Sequence, residues 1–219
     1  MFEAVVFDMD GVITDTEKLY RRFEMEEGMK RGIPEDVMLR ACEGIAGGNK
    51  YSNKKVFESI VGRGIDYFEY RDCMIASMDA YTKEHGVELK AGVKETLQLL
   101  KNKGIKIALA TSTVRERAIG YLKDHEIDSY FDALIFGDMV ANGKPAPDIY
   151  LKACDRLGVK PSDAVAVEDS RNGIRSAGEA GMYPVMVIDL IQPNDEIKPY
   201  LKKVYDNMTQ MWELFEEES

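Results

Sequence analysis

Two carboxylic acids, two positions apart, follow the first apolar segment of the chain. Val5, Val6 and Phe7 form an unbroken apolar run, and Asp8 and Asp10 come directly after it in "FDMDG". A short unbroken apolar run is typical of a strand that is buried on both faces. Two carboxylates at its end can divide a reaction between them, because one can attack as a nucleophile while the other moves a proton. Carboxylates are established covalent nucleophiles for phosphoryl groups.

Three further polar motifs follow or adjoin later apolar segments. Thr111 and Ser112 come at the end of "IKIALA", and Glu168 and Asp169 come at the end of "AVAV". Lys144 stands in "NGKPAPD", where the neighbouring glycine and proline fix the loop that carries it. In open parallel sheets, ligands bind outside the carboxyl ends of the strands. We therefore expect these side chains to converge at one edge of a sheet.

Four carboxylates in one pocket repel each other, since two like charges ~4 Å apart cost about 4 kcal/mol at an effective dielectric of ~20. A bound divalent cation or the ammonium of Lys144 would offset that repulsion. A site with few acids and several waters is typical of Mg²⁺. Taken singly, the acidic and hydroxyl motifs can also be turns or helix caps, and Lys144 can be a solvated loop residue. Their joint placement favours a catalytic site.

The segments between the motifs indicate an α/β fold. After residue 92, short apolar strands alternate with amphipathic helices, which predicts βαβ units and a parallel sheet covered on both faces. The last strand is expected in "YPVMVI", before a final helix near Met211 and Leu214.

Residues 15–90 show a different sequence pattern, because their apolar residues recur at helical spacing and no strand is evident. One helix is expected to begin at a capping Thr16 or Asp15, and another at a capping Ser52. This helical block separates the first strand from the rest of its sheet. We therefore expect an inserted all-α domain, which a loop tolerates when the ends of the insertion lie close together.

The composition narrows the class of protein. The chain has 219 residues, 45% of them apolar, and a formal net charge of −10. Such an acidic protein is a poor match for nucleic acid or an anionic membrane, and no apolar run approaches the ~20 residues of a membrane span. We expect a cytoplasmic monomer whose three separated cysteines are reduced. With only His85 and His125 present, any metal must be held by oxygen.

The four motifs, in this order, resemble those of the haloacid dehalogenase superfamily. "FDMDGVITDT" resembles its nucleophile motif, "IALATS" its phosphate-binding motif, "GKPAPD" its lysine motif and "AVEDSRNGI" its metal-binding motif. The resemblance spans the chain and is to the branch with a helical cap after the first strand. It implies a Rossmann-like three-layer core of residues 1–14 and 91–219, with the first strand central, and a cap domain of residues 15–90.

The resemblance also implies catalytic roles. Asp8 would be the nucleophile that forms an aspartyl-phosphate. Asp10 would be the general acid for the leaving oxygen and then the base that activates water. Thr111, Ser112 and Lys144 would bind the phosphoryl group. An acid at the position of Asp10 implies a leaving group that needs a proton, so dehalogenation is disfavoured.

A metal site is implied in the same way. Mg²⁺ would be bound by the carboxylate of Asp8, the backbone carbonyl of Asp10 and the carboxylate of Asp169, with Glu168 nearby. These ligands come from the nucleophile motif and from the metal-binding motif.

The motifs are similar to those of β-phosphoglucomutase and of sugar-phosphate phosphatases, with two departures. Tyr20 stands where the mutase has a histidine, four residues after a matching threonine, Thr16. The loop "GIAGGNK" lacks the arginine with which the mutase grips a second phosphate, and Lys50 is its one basic residue. Thr16, Tyr20 and Lys50 are therefore the candidate substrate contacts in the cap.

The leading hypothesis is a Mg²⁺-dependent phosphatase that hydrolyses a small phosphorylated metabolite, with sugar phosphates as the expected substrates. Two alternatives stay open. A β-phosphoglucomutase-like mutase would share the aspartyl-phosphate, and a lysine can replace an arginine as a point charge. A catalytically idle binding or regulatory protein on the same fold is disfavoured by the intact acids.

Overall fold

A sheet of six parallel strands lies at the centre of the computed structural model, which describes residues 2–216. The strands are β1 (Ala4–Phe7), β2 (Lys106–Thr111), β3 (Ala133–Phe136), β4 (Ala164–Glu168), β5 (Tyr183–Val187) and β6 (Lys203–Tyr205). Their order across the sheet is β3-β2-β1-β4-β5-β6. The first strand is therefore central, between β2 and β4, which confirms that expectation.

The segment of residues 15–90, here called the cap segment, lies between β1 and β2 in the chain. Its helices are α1 (Glu17–Lys30), α2 (Glu35–Ile45), α3 (Lys50–Val61) and α4 (Tyr67–His85). Met38, Phe57 and Tyr70 form part of a small core of its own. The boundaries of a separate cap domain stay a prediction, as does the assignment of residues 1–14 and 91–219 to one core; residues 1 and 217–219 lie outside the described residues.

Four more helices cover the two faces of the sheet. They are α5 (Val93–Asn102), α6 (Arg115–Asp124), α7 (Asp148–Leu157) and α8 (Arg171–Glu179). Val5 and Phe7 pack with α5 and α6, whereas Ala4 and Val6 pack with α7 and α8. Because both faces are covered, the strands lack polar alternation. Within the described range, no helix combines the length and the apolar character needed to cross a membrane.

The two connections between the sheet and the cap segment run side by side. The backbone N–H of Asp15 donates to the carbonyl of Glu88 at 2.8 Å, and that of Lys90 donates to the carbonyl of Ile13 at 3.0 Å. The first residues of the inserted segment are therefore hydrogen-bonded to its last residues.

One of two predicted helix starts differs from the structure, and the other, at Thr16, is confirmed in its position. Ser52 does not begin its helix, because the side chain of Asn49 accepts hydrogen bonds from the backbone N–H groups of Tyr51 and Ser52, and α3 begins at Lys50. Thr16 lies at the N-cap of α1, but its hydroxyl makes no capping hydrogen bond. That hydroxyl binds a carboxylate of the candidate site instead, as described below.

The end of the chain also differs from the prediction. β5 is not the last strand, because β6 pairs with it. This strand has three residues, two of them exposed, so it lacks an apolar run. The expected helix around Met211 and Leu214 is a 3₁₀ helix, Met208–Phe215. Helix α2 was missed, although Val37, Met38 and Ala41 have helical spacing.

Candidate active site

Lys144 connects two of the predicted acids at the carboxyl ends of the central strands. Its Nζ atom lies 2.8 Å from Oδ1 of Asp8 and 2.6 Å from Oε1 of Glu168, and it donates to the carbonyl of Ala110 at 3.1 Å. Asp8 follows β1, Glu168 ends β4 and Ala110 lies in β2, so three adjacent strands supply the acceptors. The side chain of Lys144 is 1% exposed. Its ammonium is therefore held in one place by these three contacts.

The site holds more negative charge than one ammonium neutralises. Burial raises the pKa of Asp8 to about 7, and although Lys144 acts in the opposite direction, Glu168 and Asp10 raise it further. Burial also raises the pKa of Asp169 well above its usual range, and neighbouring carboxylates add to the effect. Burial lowers the pKa of Lys144, but the charges of Asp8 and Glu168 outweigh it and raise that pKa above its usual range.

Three of the predicted metal ligands lie together. Asp8, Glu168 and Asp169 are buried, and each offers a carboxylate oxygen within 4.8 Å of the others. Such a set of hard oxygen donors fits a divalent cation, which would offset the excess negative charge. The carboxylate of Asp10 is not part of this cluster. Gly11, at φ +74°, allows the chain to pass Asp169, since a Cβ there would lie 2.2 Å from its Oδ2 atom.

Glu168 is the most enclosed of these acids. Besides Lys144, it accepts hydrogen bonds from the hydroxyls of Tyr150 at 2.6 Å and Ser170 at 3.1 Å. A Cβ at position 173, in the first turn of α8, would lie 1.9 Å from its carboxylate, so only a glycine fits there. These contacts fix the orientation of the Glu168 carboxylate.

Asp10 is held by hydroxyl groups from two directions. Thr16 Oγ1 donates to its Oδ1 atom at 2.5 Å, and Thr113 Oγ1 donates to its Oδ2 atom. Thr16 begins the cap segment and Thr113 follows β2, so the carboxylate is positioned by both parts of the molecule. Thr113 was missed as a site residue, although it stands beside the two predicted phosphate ligands in "TST".

The predicted phosphate ligands Thr111 and Ser112 lie at the carboxyl end of β2, directly before Thr113. The hydroxyl of Thr111 is buried and accepts a hydrogen bond from the backbone N–H of Thr113 at 3.0 Å. Ser112 Oγ donates to the carbonyl of Gly47 in the cap segment at 3.3 Å. Their roles toward phosphate stay predictions.

Asp8 and Asp10 open into a cavity between the sheet edge and the cap segment, of about 900 Å³ including space open to solvent. Side chains from the sheet side line it, namely Asp8, Asp10, Ser112, Thr113, Val114 and Arg117. The cap segment contributes a larger group, which includes Glu17, Tyr20, Arg21, Glu24, Cys42, Lys50, Asn53, Tyr67, Tyr70 and Arg71. The cavity is thus polar and carries charges of both signs.

The candidate cap contacts differ in their placement. Tyr20 lines the cavity, and its hydroxyl accepts a hydrogen bond from Nη1 of Arg117 at 3.4 Å. Lys50 also lines the cavity, with its ammonium 5.0 Å from the ring centroid of Tyr51. Thr16 is fully buried against Asp10 rather than exposed to the cavity.

Several polar residues of the cavity were not predicted from the sequence. The loop "GIAGGNK" indeed has no arginine, yet Arg21, Arg71 and Arg117 supply guanidinium groups from other elements. On α1, Glu17, Arg21 and Glu24 have the i, i+4, i+7 spacing of one helix face. Because α1 also carries charged residues on its other faces, this spacing alone does not single out the three residues.

A parallel α/β sheet with a buried cluster of carboxylates and a lysine at the ends of its central strands, beneath an inserted helical segment, defines a class of α/β enzyme. A family model for haloacid dehalogenase-like hydrolases matches residues 2–181. The chain belongs to this family, as its four motifs indicated.

Similar proteins include enzymes of two kinds. The chain is 36% identical over 192 residues to the phosphorylated carbohydrates phosphatase of Thermotoga maritima, with 82% of each chain covered. It is 34% identical over 200 residues to the β-phosphoglucomutase of Bacillus subtilis, covering 84% of this chain and 83% of that one. Among solved structures, CbbY from Rhodobacter sphaeroides in complex with phosphate superposes with a TM-score of 0.75 at 27% identity, covering 96% of each chain.

Proposed function

We propose that this protein is a Mg²⁺-dependent phosphatase that hydrolyses a small phosphorylated metabolite, a sugar phosphate, through an aspartyl-phosphate. The observation that carries the proposal is the placement of Asp8, which opens into the cavity while Lys144 and two further carboxylates surround it. Its relative from Thermotoga maritima, a phosphorylated carbohydrates phosphatase, supports the substrate class. We place the enzyme in the cytoplasm as a monomer, and its net charge of −10 disfavours nucleic acid and anionic membranes as partners.

In the first step, a carboxylate oxygen of Asp8 attacks the phosphorus atom, and the bond from phosphorus to the ester oxygen breaks. Asp10 donates a proton to that oxygen, so the leaving group departs as a neutral alcohol. Thr16 and Thr113, which hold the carboxyl of Asp10, keep it directed at the leaving oxygen. The product on the protein is the phosphoryl ester of Asp8.

In the second step, Asp10 takes a proton from a water molecule, and the water oxygen attacks the phosphorus atom. The bond between phosphorus and the Asp8 oxygen breaks, which releases inorganic phosphate and restores the Asp8 carboxylate. Lys144 neutralises charge on the transferring group throughout. Thr111 and Ser112 complete the group that holds the phosphoryl oxygens.

The carboxylates of Asp8, Glu168 and Asp169, with the backbone carbonyl of Asp10, would hold the Mg²⁺ ion. When bound, the ion supplies positive charge that reduces repulsion between the attacking carboxylate and the phosphate. The raised pKa of Asp169 and its cluster with two further buried acids support a cation at this position.

A panel of phosphorylated metabolites, assayed for released inorganic phosphate with and without Mg²⁺, tests the proposal. We expect release from one or more sugar monophosphates, dependent on Mg²⁺ and absent in Asp8→Asn. Phosphate release that persists in Asp8→Asn, or in the presence of EDTA, would contradict the proposal. No release from any ester would favour the idle binding protein.

A phosphosugar mutase is the second candidate. The relative from Bacillus subtilis is a β-phosphoglucomutase, and three arginines line the cavity although the cap loop has none. Both enzymes would form phospho-Asp8, so the candidates differ only in whether water or a sugar hydroxyl receives the phosphoryl group.

A further inference from the structure

A second group of charged side chains lines the cavity on the cap side. Arg21 and Glu24 belong to α1, and Arg71 belongs to α4. Glu24 is 9% exposed. Among residues 2–216, none of the three forms an ion pair within 4.0 Å. Lys18, Arg22 and Glu27 of the same helix are paired, Glu27 with Arg31 at 2.8 Å.

The Glu24 carboxyl is therefore a buried acid without a basic partner in contact. Burial raises its pKa to about 7, while the Cys42 thiol and the charges of Arg21 and Arg71 act in the opposite direction. The Cys42 thiol is a hydrogen-bond partner of this carboxyl, but a thiol is a weak donor and an ionised carboxylate can accept about four hydrogen bonds, so most of its acceptor capacity is left for a ligand. Since this carboxyl lines a cavity that also holds Asp8, a bound ligand is the simplest partner for it.

The two positive charges and one negative charge of this group favour some ligand groups over others. A second phosphate group only accepts hydrogen bonds when ionised, so it would suit the two arginines but would be repelled by Glu24. An ammonium group only donates, so it would suit Glu24 but would be repelled by the arginines. A hydroxyl group donates and accepts, and a pair of neighbouring hydroxyls can satisfy both kinds of side chain at once.

We infer that Glu24 is a specificity-determining residue that accepts hydrogen bonds from hydroxyl groups of the leaving alcohol, to which Arg21 and Arg71 donate. This inference rests on the proposed phosphatase activity and narrows its substrates to monophosphates of polyhydroxylated alcohols. It places sugar bisphosphates among the poorer substrates.

The experiment compares esters of equal carbon number with and without hydroxyls: sorbitol 6-phosphate against hexyl phosphate, and ribose 5-phosphate against pentyl phosphate. The readout is the ratio of kcat/KM within each pair. We expect a ratio of at least about tenfold in the parent enzyme, and a fall of roughly ten- to a hundredfold in Glu24→Gln, the range of a charged hydrogen bond. Arg71→Gln should lower the same ratio.

Glu27→Gln is the matched control, because Glu27 is equally buried on α1 but does not line the cavity. It should leave both ratios unchanged, and thermal unfolding shows whether each variant is folded. Equal ratios in Glu24→Gln and the parent would overturn the inference, as would faster hydrolysis of glucose 1,6-bisphosphate than of glucose 1-phosphate. If phosphate is released from the alkyl phosphates as efficiently as from sorbitol 6-phosphate and ribose 5-phosphate, that result counts against this inference alone. No release from any of the four esters counts against the phosphatase itself.

Discussion

The Nζ atom of Lys144 lies 2.8 Å from Oδ1 of Asp8, and both side chains are buried. The same ammonium contacts Glu168, so one cation holds together the ends of β1 and β4. Burial raises the pKa of Asp8 to about 7, and the Lys144 ammonium opposes that effect, so this contact favours the charged form that attacks the phosphorus atom.

Lys144→Met keeps most of the length of the unbranched side chain and removes its charge. We expect phosphate release to fall by about 10²–10³-fold, the usual loss when one stabilising donor of a transition state is removed. The measurement is kcat on the best substrate, with circular dichroism to confirm the fold. Lys94→Met, at an exposed position of α5, is the control and should retain full activity. Equal activity of both variants would show that Lys144 is structural only.

Asp8→Asn and Asp10→Asn should fail at different steps. With p-nitrophenyl phosphate, whose leaving group needs no proton, Asp10→Asn should still phosphorylate Asp8 but hydrolyse the intermediate slowly, so phosphoprotein accumulates. Asp8→Asn should form none, because its amide is a poor nucleophile. Mass spectrometry of acid-quenched protein checks this. Phosphoprotein in Asp8→Asn would place the nucleophile elsewhere.

Removal of divalent cations with EDTA should abolish activity, and Mg²⁺ should restore it. Asp169→Asn should raise the Mg²⁺ concentration needed for half-maximal activity by at least tenfold, because it removes one charged ligand. Asp155→Asn, an exposed position on α7, serves as the control. Ca²⁺ should substitute poorly, since it prefers more ligands and looser geometry. Full activity of Asp169→Asn at the parental Mg²⁺ requirement would remove Asp169 from the metal site.

Glu24→Gln should stabilise the protein above neutral pH. Burial raises the pKa of Glu24 from 4.5 to about 7 in the folded chain, so between these values the folded state keeps a proton that the unfolded state has released. Ionisation then favours unfolding, and stability falls as the pH rises from about 4.5 to about 7, by roughly 3 kcal/mol. We expect a higher urea midpoint for Glu24→Gln at pH 8, and no difference near pH 4.5. The same gain in Glu27→Gln would show that the effect does not arise from Glu24.

Phosphorus NMR separates the phosphatase from the mutase. With β-glucose 1-phosphate and a trace of the 1,6-bisphosphate, a phosphatase releases inorganic phosphate from this or another sugar phosphate and forms no glucose 6-phosphate. A mutase must restrain the attack of water, which is present at ~55 M, in favour of a sugar hydroxyl. We expect water to be the acceptor, because Glu24 would repel the second phosphate of a bisphosphate. Near-stoichiometric glucose 6-phosphate would establish the mutase, with Lys50, Arg21 and Arg71 as candidate grips on the distal phosphate.

The central strands and their acids could be predicted because burial on both faces leaves a plain signal. β1, β2 and β4 are apolar runs that end abruptly in polar residues, and the topology brings those ends together. β6 carries no such signal, since two of its three residues are exposed and it forms only by pairing with β5. Tertiary pairing rather than local preference determines that strand.

The cap side of the cavity could be predicted only in part. Tyr20 and Lys50 were identified by their positions in motifs, whereas Glu24 and Arg71 depend on which faces of α1 and α4 turn toward Asp8. Packing between the helices determines which face turns toward Asp8. The sequence of α1 does not identify that face, because charged residues lie around most of the helix.

The paired connections at Thr14 and Leu89 have an evolutionary consequence. Because Asp15 and Glu88 are joined by a backbone hydrogen bond, the sheet does not depend on the intervening residues for its continuity. A chain in which a short turn replaced that segment would keep the strand order, and a segment from a relative could be grafted at the same two positions. Recombination at this junction would replace the cap side of the cavity, whereas Asp8, Lys144 and Asp169 lie outside the exchanged segment. A single genetic event at this junction would thus change the lining of the cavity opposite Asp8.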